Sequence, residues 1–494
     1  MRWTIATEDD AARPAENRDR RETLALVGLL LAAAALRLYR IGAESIWMDE
    51  AFTLRDMHLP PSGFNLYRPA YYVALWLWMQ ASGSDAWARG LAAVLGVANV
   101  WATYRLGRAA AGRGVGLIAG TACALSPLEI NHSQEIRMYT AASFLGVLGS
   151  LAALRLGRGA PWWRWAAWAG WRALAILTSS FDALLLIGDA LLLKRSPRTR
   201  ALGMLLAATA TAASLVVLAN SKTVATITNW TTVVPPLTPV SLVRPLVGFA
   251  AWWATPLPAV WTDLPGPAGV LRYAALGVVL VVLLVVAVVH PGLNAVRPLV
   301  GWALAPLAVL AAASVAVAPL SLWLERYLMF TAPYAFVLAS AAVLLARRTR
   351  PWLAAAVVAL YLWALIPSLA WYYHGYHRTD WRGVAAAVRK EVQPGDSVVV
   401  SHGAAYEPLA HYLRPERVPT ALPIGAEAKP DRAALRNALG PLCGGGKRVF
   451  LVQWLAGPAE TRREFRGTVF GSFSVDGWRS FEGLELYVIS GPRP

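Results

Sequence analysis

Apolar segments long enough to cross a membrane recur along this chain, and their number constrains its fold more than any motif does. Leu24 to Ala35, Tyr273 to Val289 and Trp302 to Ala318 contain no charged residue. A helix needs about 20 mostly apolar residues to span the hydrocarbon core of a bilayer. Windows of that kind place about eleven transmembrane helices, at 23–40, 86–106, 115–130, 138–155, 162–178, 181–193, 201–220, 270–289, 299–318, 327–346 and 351–372. With 57% hydrophobic residues, the chain reads as an all-α polytopic membrane protein. Its 23 tryptophans suit interfacial belts.

A net charge of +17 would suggest nucleic acid in a soluble protein. Here the cations fall in short loops between apolar spans, so they read as topology signals that also attract membrane lipid. Arg105, Arg108 and Arg113 share one loop and Arg155, Arg158 and Arg164 the next on that side. Lys194, Arg195, Arg198 and Arg200 follow, then Arg297, then Arg347, Arg348 and Arg350. The positive-inside rule makes these loops cytoplasmic. It sends the polar segments 41–85, 129–137, 221–269 and 319–326 to the outer face, together with everything after 373.

Met1 to Glu22 mixes acids and arginines and reads as a disordered cytoplasmic tail. It lacks the small-residue cleavage site of a signal peptide. Residues 23–372 form the membrane domain. From 373 the pattern changes: Asp380-Trp381-Arg382-Gly383 opens an amphipathic helix and Pro394-Gly395-Asp396 turns into Ser397–Val400. Lys447–Val452 and Leu484–Ile489 also read as strands. About 120 residues of this kind suffice for a small soluble α/β domain. Two distant cysteines, Cys123 and Cys443, support neither a disulfide framework nor a thiolate metal site.

Carboxylates at a membrane face are the first place to look for chemistry in so hydrophobic a chain. Asp49 and Glu50 lie in Ser45-Ile46-Trp47-Met48-Asp49-Glu50-Ala51-Phe52-Thr53, where the chain leaves the first span. On a helix, neighbours diverge by about 100°, so one acid can face a cavity while the other caps or pairs. That suits a single general base better than a two-carboxylate retaining site. The alternative is a plain helix cap, its acids beside the positive end of the dipole.

A second polar cluster runs from Ser126 to Tyr139. Each charge at bilayer depth costs roughly 2.5–3.5 kcal/mol, so Glu129, Glu135 and Arg137 should pair or line water. Arg326, in Glu325-Arg326-Tyr327, and Arg68, in Tyr67-Arg68-Pro69-Ala70-Tyr71-Tyr72, lie on the same side. Three guanidiniums converging on one cavity would suit an anionic headgroup, because this group binds phosphate bidentately. Tyr67, Tyr71, Glu135, Tyr139 and Tyr327 would line that cavity. Taken singly, each arginine reads as a snorkelling residue and Glu135 with Arg137 as an interfacial ion pair. Asp182 and Asp189 read as interhelical polar contacts. His132 reads as a loop histidine, and Trp252, Trp253 and Trp261 as anchors of a membrane-lying helix.

The order Trp47-Met48-Asp49-Glu50-Ala51-Phe52-Thr53, then Pro69-Ala70-Tyr71-Tyr72, then Ser126-Pro127 with Ser133-Gln134-Glu135-Ile136-Arg137-Met138-Tyr139, then Glu325-Arg326-Tyr327 resembles the bacterial branch of the protein mannosyltransferase family. The lipid-A aminoarabinose transferases share that architecture. The resemblance covers residues 23–370. It implies a GT-C glycosyltransferase of the bacterial inner membrane that takes sugar from a polyprenyl-phosphate donor. The acceptor would be an extracytoplasmic hydroxyl on lipid, glycan or protein. It makes Asp49 the catalytic base, with Glu50 beside it, and implies a single inverting displacement. No bound metal is required, although the acidic pair could hold a divalent ion. Two segments depart from the family: Tyr67-Arg68-Pro69-Ala70-Tyr71-Tyr72 replaces His-Pro-Pro-Leu-Tyr-Tyr, and Thr178-Ser179-Ser180 replaces Thr-His-Tyr. Both bear on donor or acceptor identity, and Arg68 would take over a phosphate contact. A transporter of lipid-linked saccharides would also need a cationic cavity. It would favour polar groups near mid-membrane and related halves, and the sequence has no internal repeat.

Overall fold

The computed structural model describes residues 15–57, 68–157, 160–193, 245, 247–250, 267–316, 323–375, 378–414, 420–422, 432–455 and 459–493. The tail before 15, the window 201–220, most of 221–269 and Tyr67 therefore lie outside the described residues. The helices, in chain order, begin with α1 (Ala15–Leu38), α2 (Met48–Met57), α3 (Pro69–Met79), α4 (Asp85–Ala111), α5 (Arg113–Leu125) and α6 (Pro127–Ser133). Next come α7 (Tyr139–Ala153), α8 (Trp162–Thr178), α9 (Leu185–Leu192), α10 (Pro267–Val289), α11 (Arg297–Ala316), α12 (Ala332–Thr349) and α13 (Pro351–Ala370). The last stretch holds α14 (Trp381–Glu391), β1 (Ser397–Val400), α15 (Tyr406–Leu413), β2 (Thr420–Ala421), α16 (Arg432–Leu439), β3 (Val449–Trp454), α17 (Ala459–Ser472), β4 (Phe473–Phe481) and β5 (Leu484–Pro492).

The chain forms two compact units. The first contains α1 and α3 to α13 and ends at His374. Four of its helical stretches are long and apolar enough to cross a membrane: Leu271–Val289, Arg297–Ala316, Glu325–Thr349 and Pro351–Gly375. They make this a multi-pass membrane protein, and the helices α1, α4, α5, α7, α8 and α9 coincide with further apolar windows. α1 begins at Ala15, inside the stretch expected to be a tail, because Glu22 accepts a hydrogen bond from the Tyr104 hydroxyl and pairs with Arg108 at 3.1 Å. The window at 115–130 is not one helix. α5 stops at Leu125, and Ser126-Pro127 restarts the chain as α6 with Ser126 Oγ accepting from the Glu129 N–H at 3.2 Å.

Small residues set the helix spacing in this unit. A Cβ on Gly107 would lie 2.9 Å from the Gly116 Cα, and one on Gly188 would lie 2.1 Å from a Trp302 ring carbon. Such close approach replaces hydrophobic driving force with packing and hydrogen bonding. The Asp189 carboxylate, buried between helices, accepts from Arg172 Nε at 2.7 Å, Trp168 Nε1 at 3.0 Å and Trp302 Nε1 at 2.9 Å. Asp189 thus makes the interhelical contacts read from sequence. Asp182 does not: it is fully buried, and its carboxylate oxygens have no hydrogen-bond partner among the described residues. Gly146 leaves the room it occupies, since a Cβ there would sit 2.9 Å from Asp182 Oδ1.

Among the described residues, the second unit comprises 42–57 and those from Gly375 onward. Its five-stranded sheet has the order β2-β1-β3-β5-β4, parallel through β2, β1 and β3 and antiparallel through β5 and β4. Alternate residues feed two cores, as strand periodicity requires. Val398, Val400, Phe450 and Val452 pack with Trp381, Val384 and Val388 of α14 and Leu409 of α15. Val399, Val449, Leu451 and Tyr487 pack with Leu435 of α16 and Val469 of α17 on the other face. Layers of helix, sheet and helix make this an α/β unit. α14 begins where Asp380-Trp381-Arg382-Gly383 marks it, with Asp380 Oδ1 accepting from the Gly383 N–H at 2.8 Å.

Candidate active site

The acidic pair opens α2. Asp49 and Glu50 occupy its first turn, where carboxylates meet the positive end of the helix dipole. The Ala51 N–H donates to the Trp47 carbonyl at 2.9 Å, making Trp47 the N-cap. Glu50, three residues on, folds back: its Oε2 accepts from the Trp47 N–H at 3.1 Å, one half of a capping box. The same oxygen accepts from Arg378 Nη1 at 2.9 Å, and Glu50 is fully buried. Asp49 is half-buried. Two neighbouring acids of one sequence motif therefore have different surroundings, and Asp49 is the one with solvent access.

α2 is held by the C-terminal segment of its own unit, although sequence alone assigned 41–85 to the membrane domain. The Ile46 N–H donates to the Tyr412 hydroxyl at 2.8 Å, and Arg55 pairs with Glu407 at 3.3 Å. The Arg382 N–H donates to Ser45 Oγ at 3.1 Å, and the Arg378 N–H to a Glu44 carboxylate oxygen at 2.9 Å. Arg378, 328 residues from Glu50, carries no signal in sequence that ties it to the pair.

In the membrane unit, every residue from Ser126 to Ser143 is buried. Several of its polar side chains pair with one another, while Asn99 Oδ1, Glu129 Oε1 and Thr140 Oγ1 are buried without a hydrogen-bond partner among the described residues. Asn99 Nδ2 donates to Glu129 Oε2 and Ser143 Oγ, each at 3.1 Å. Glu135 uses both oxygens: Oε1 accepts from Asn131 Nδ2 at 3.0 Å, and Oε2 lies 2.9 Å from His132 Nδ1. His132 is thus a buried helical residue, not a loop one. Its ring lies 4.9 Å from that of Tyr139, and the Arg137 guanidinium lies 5.8 Å from the Tyr139 ring on its own account. Arg137 is 9% exposed.

The cluster is fastened to α1 by Arg37, a fully buried cation within the apolar window at 23–40. Arg37 donates to Ser133 Oγ at 3.2 Å and to the carbonyls of Ala124 at 3.1 Å and Cys123 at 3.2 Å. Gln134 Nε2 donates to the carbonyls of Arg37 at 2.9 Å and Tyr39 at 2.8 Å, and its Oε1 accepts from the Tyr372 hydroxyl at 2.7 Å. These bonds cap the open carbonyls at the end of α1. α4 approaches so closely that a Cβ on Gly96 would lie 2.2 Å from Ser133 Oγ.

The other expected phosphate ligands stand on separate elements of this unit. Arg68 is the residue before Pro69, the first of α3, and Tyr71 is buried two residues further on. Arg326 lies in the short helix Glu325–Leu328, its guanidinium 5.1 Å from the Tyr327 ring. Tyr327 in turn meets Phe181 at 5.2 Å. The contacts above join Arg137 to Tyr139 and Arg326 to Tyr327, and they do not join the three arginines to each other.

At the acidic pair, Glu50 Oε2 is taken up by Arg378 and Trp47, whereas a hard cation takes several oxygens. Among the described residues, no three histidine, cysteine, aspartate or glutamate side chains stand together as metal ligands.

No family model and no curated protein sequence matches the chain. Solved structures do. ArnT from Cupriavidus metallidurans bound to undecaprenyl phosphate is 14% identical with a TM-score of 0.55, covering 96% of this chain and 98% of that one. AglB, the Archaeoglobus fulgidus oligosaccharyltransferase in complex with an inhibitory peptide and a dolichol-phosphate, is 12% identical with a TM-score of 0.56. That match covers 95% of this chain and 74% of AglB. A crystal structure of the same archaeal enzyme with Zn and sulfate aligns at a TM-score of 0.52 and 12% identity. Both enzymes are GT-C glycosyltransferases, and this chain has their fold over nearly its whole length.

Proposed function

We propose that the protein is an integral-membrane glycosyltransferase that moves a sugar from a polyprenyl-phosphate donor to an acceptor hydroxyl outside the bacterial plasma membrane. The observation that carries this reading is the division of labour at α2: Glu50 is buried in a cap and an ion pair, while Asp49, one residue away, stays half-buried. A fold shared end to end with ArnT, whose structure contains undecaprenyl phosphate, supports the donor class.

In the proposed mechanism Asp49 accepts the proton of the acceptor hydroxyl as its oxygen attacks the anomeric carbon. A carboxylate of ordinary basicity suffices, because the hydroxyl grows more acidic as the bond forms. The bond to the polyprenyl phosphate breaks on the opposite face, and the leaving phosphate gains negative charge. Arg68, Arg137 and Arg326 would neutralise that charge, so they are worth more in the transition state than in the ground state. Tyr71, Tyr139 and Tyr327 would line the same cavity, together with Tyr67. Glu50 is a positioning residue here, acting through the first turn of α2. No step runs through a metal.

A single displacement inverts the anomeric centre. Nuclear magnetic resonance of the glycoside made by purified protein from a polyprenyl-phosphate sugar of known configuration should show the opposite anomer. A product of retained configuration would replace single displacement with a covalent intermediate and remove the base role from Asp49.

A further inference from the structure

At the opposite end of the first unit's helices from the Ser126–Tyr139 cluster, α4, α7 and α8 enclose a cavity of about 160 Å³. Its wall contains three cations and three indoles: Arg105 and Trp101 from α4, Arg155 after α7, and Trp163, Arg164 and Trp171 from α8. The Arg105 guanidinium lies 5.4 Å from the Trp101 ring, and that of Arg164 lies 5.1 Å from the Trp163 ring. Neither they nor Arg155 pairs with a carboxylate among the described residues. Sequence explains this, because no aspartate or glutamate occurs between Asp85 and Glu129 or between Glu135 and Asp182. Three like charges are gathered without a counter-ion, which costs free energy unless an anion joins them.

Leu148, Leu151, Ala152 and Ala167 complete an apolar wall. Trp163 is 54% exposed and its neighbour Trp162 is 79% exposed, a pattern suited to the interface between headgroups and acyl chains. The volume is smaller than the roughly 300 Å³ at which drug-sized pockets begin. It suits one anionic group, with anything attached to it lying outside.

We propose that this pocket binds the phosphate of an anionic phospholipid, whose acyl chains lie along the tryptophan-bearing flank of α8. Guanidiniums already stacked on indoles present their N–H forks to the phosphate oxygens with little further ordering. The site is independent of the sugar-transfer reading, since none of its residues belongs to that machinery.

Native mass spectrometry of the full chain in detergent, titrated with phosphatidylglycerol, phosphatidylcholine or inorganic phosphate, tests the proposal. At about fivefold per cation, the variant Arg105→Gln/Arg155→Gln/Arg164→Gln should bind phosphatidylglycerol roughly 100-fold more weakly, with phosphatidylcholine adducts unchanged. Arg155→Gln alone should lose about fivefold, and it carries the test if the triple variant does not fold. Undiminished phosphatidylglycerol binding in both variants would overturn the site. Inorganic phosphate that displaced the lipid at equal concentration would assign the pocket to a free anion and overturn the lipid reading.

Discussion

Replacing Glu50 by alanine should release the first turn of α2 without touching Asp49. The side chain is fully buried and serves two N–H groups at once, Trp47 at 3.1 Å and Arg378 at 2.9 Å. Truncating one partner of a buried ion pair costs about 3–5 kcal/mol, because the other charge stays buried without it. Hydrogen exchange read by mass spectrometry on peptides covering α2 should therefore accelerate by about 10²–10⁴-fold, if opening of this turn is local. Glu50→Gln keeps the acceptor for the Trp47 N–H and loses only the charge. Its cost should fall near 1.5–3 kcal/mol, the range for a hydrogen bond to a charged group. Asp49→Asn keeps both bonds to Glu50, so exchange in α2 should accelerate less than in Glu50→Ala. Equal protection of α2 in Glu50→Ala and the parent protein would refute the argument that the pair holds this turn in place.

Three further outcomes follow from packing and charge. A methyl at Gly96 has no room beside Ser133 Oγ, so Gly96→Ala should cost about 1–3 kcal/mol and lower the thermal midpoint of the detergent-solubilised protein. An unchanged midpoint would mean that α4 can withdraw. In the second unit, burial opposes ionisation of Asp396, but the N–H groups of Gln393 and Arg448 and the Arg448 guanidinium outweigh it and hold the carboxyl below its ordinary value. A depressed carboxyl stabilises the fold above its unfolded value and ceases to as pH falls through the folded one. Labelling of buried Cys443 by a pyridyl disulfide should thus accelerate below about pH 4, and Asp396→Asn should abolish that pH step. Finally, transfer should persist in excess EDTA, and a loss that added divalent ion restored would contradict the metal-free mechanism.

Much of the helical architecture is legible in sequence because hydrocarbon tolerates few alternatives: α8 lies at Trp162–Thr178, the very window that apolar length selects. The strands β1, β3 and β5 are legible for a similar reason, since Val398–Val400 and Val449–Val452 are buried on both faces and read as unbroken apolar runs. β4 was not, because its exposed positions, including Arg479 and Ser480, interrupt that pattern at the sheet edge. The acidic pair was visible as a motif, but its unequal burial depends on Arg378, and a contact across 328 residues has no local signature. Arg37 shows the opposite failure. A cation at the end of an apolar run reads as snorkelling to water, whereas here it turns inward to carbonyls that α5 leaves open at its C-terminus.

The account turns on whether the protein breaks the bond between sugar and carrier. Purified protein in liposomes should convert a polyprenyl-phosphate sugar and a hydroxyl acceptor into glycoside and free polyprenyl phosphate, one for one. Asp49→Asn should bind the donor but release carrier about 10²-fold more slowly or worse. Passage of the lipid-linked sugar across the bilayer with no carrier released, or full turnover by a folded Asp49→Asn protein, would contradict it.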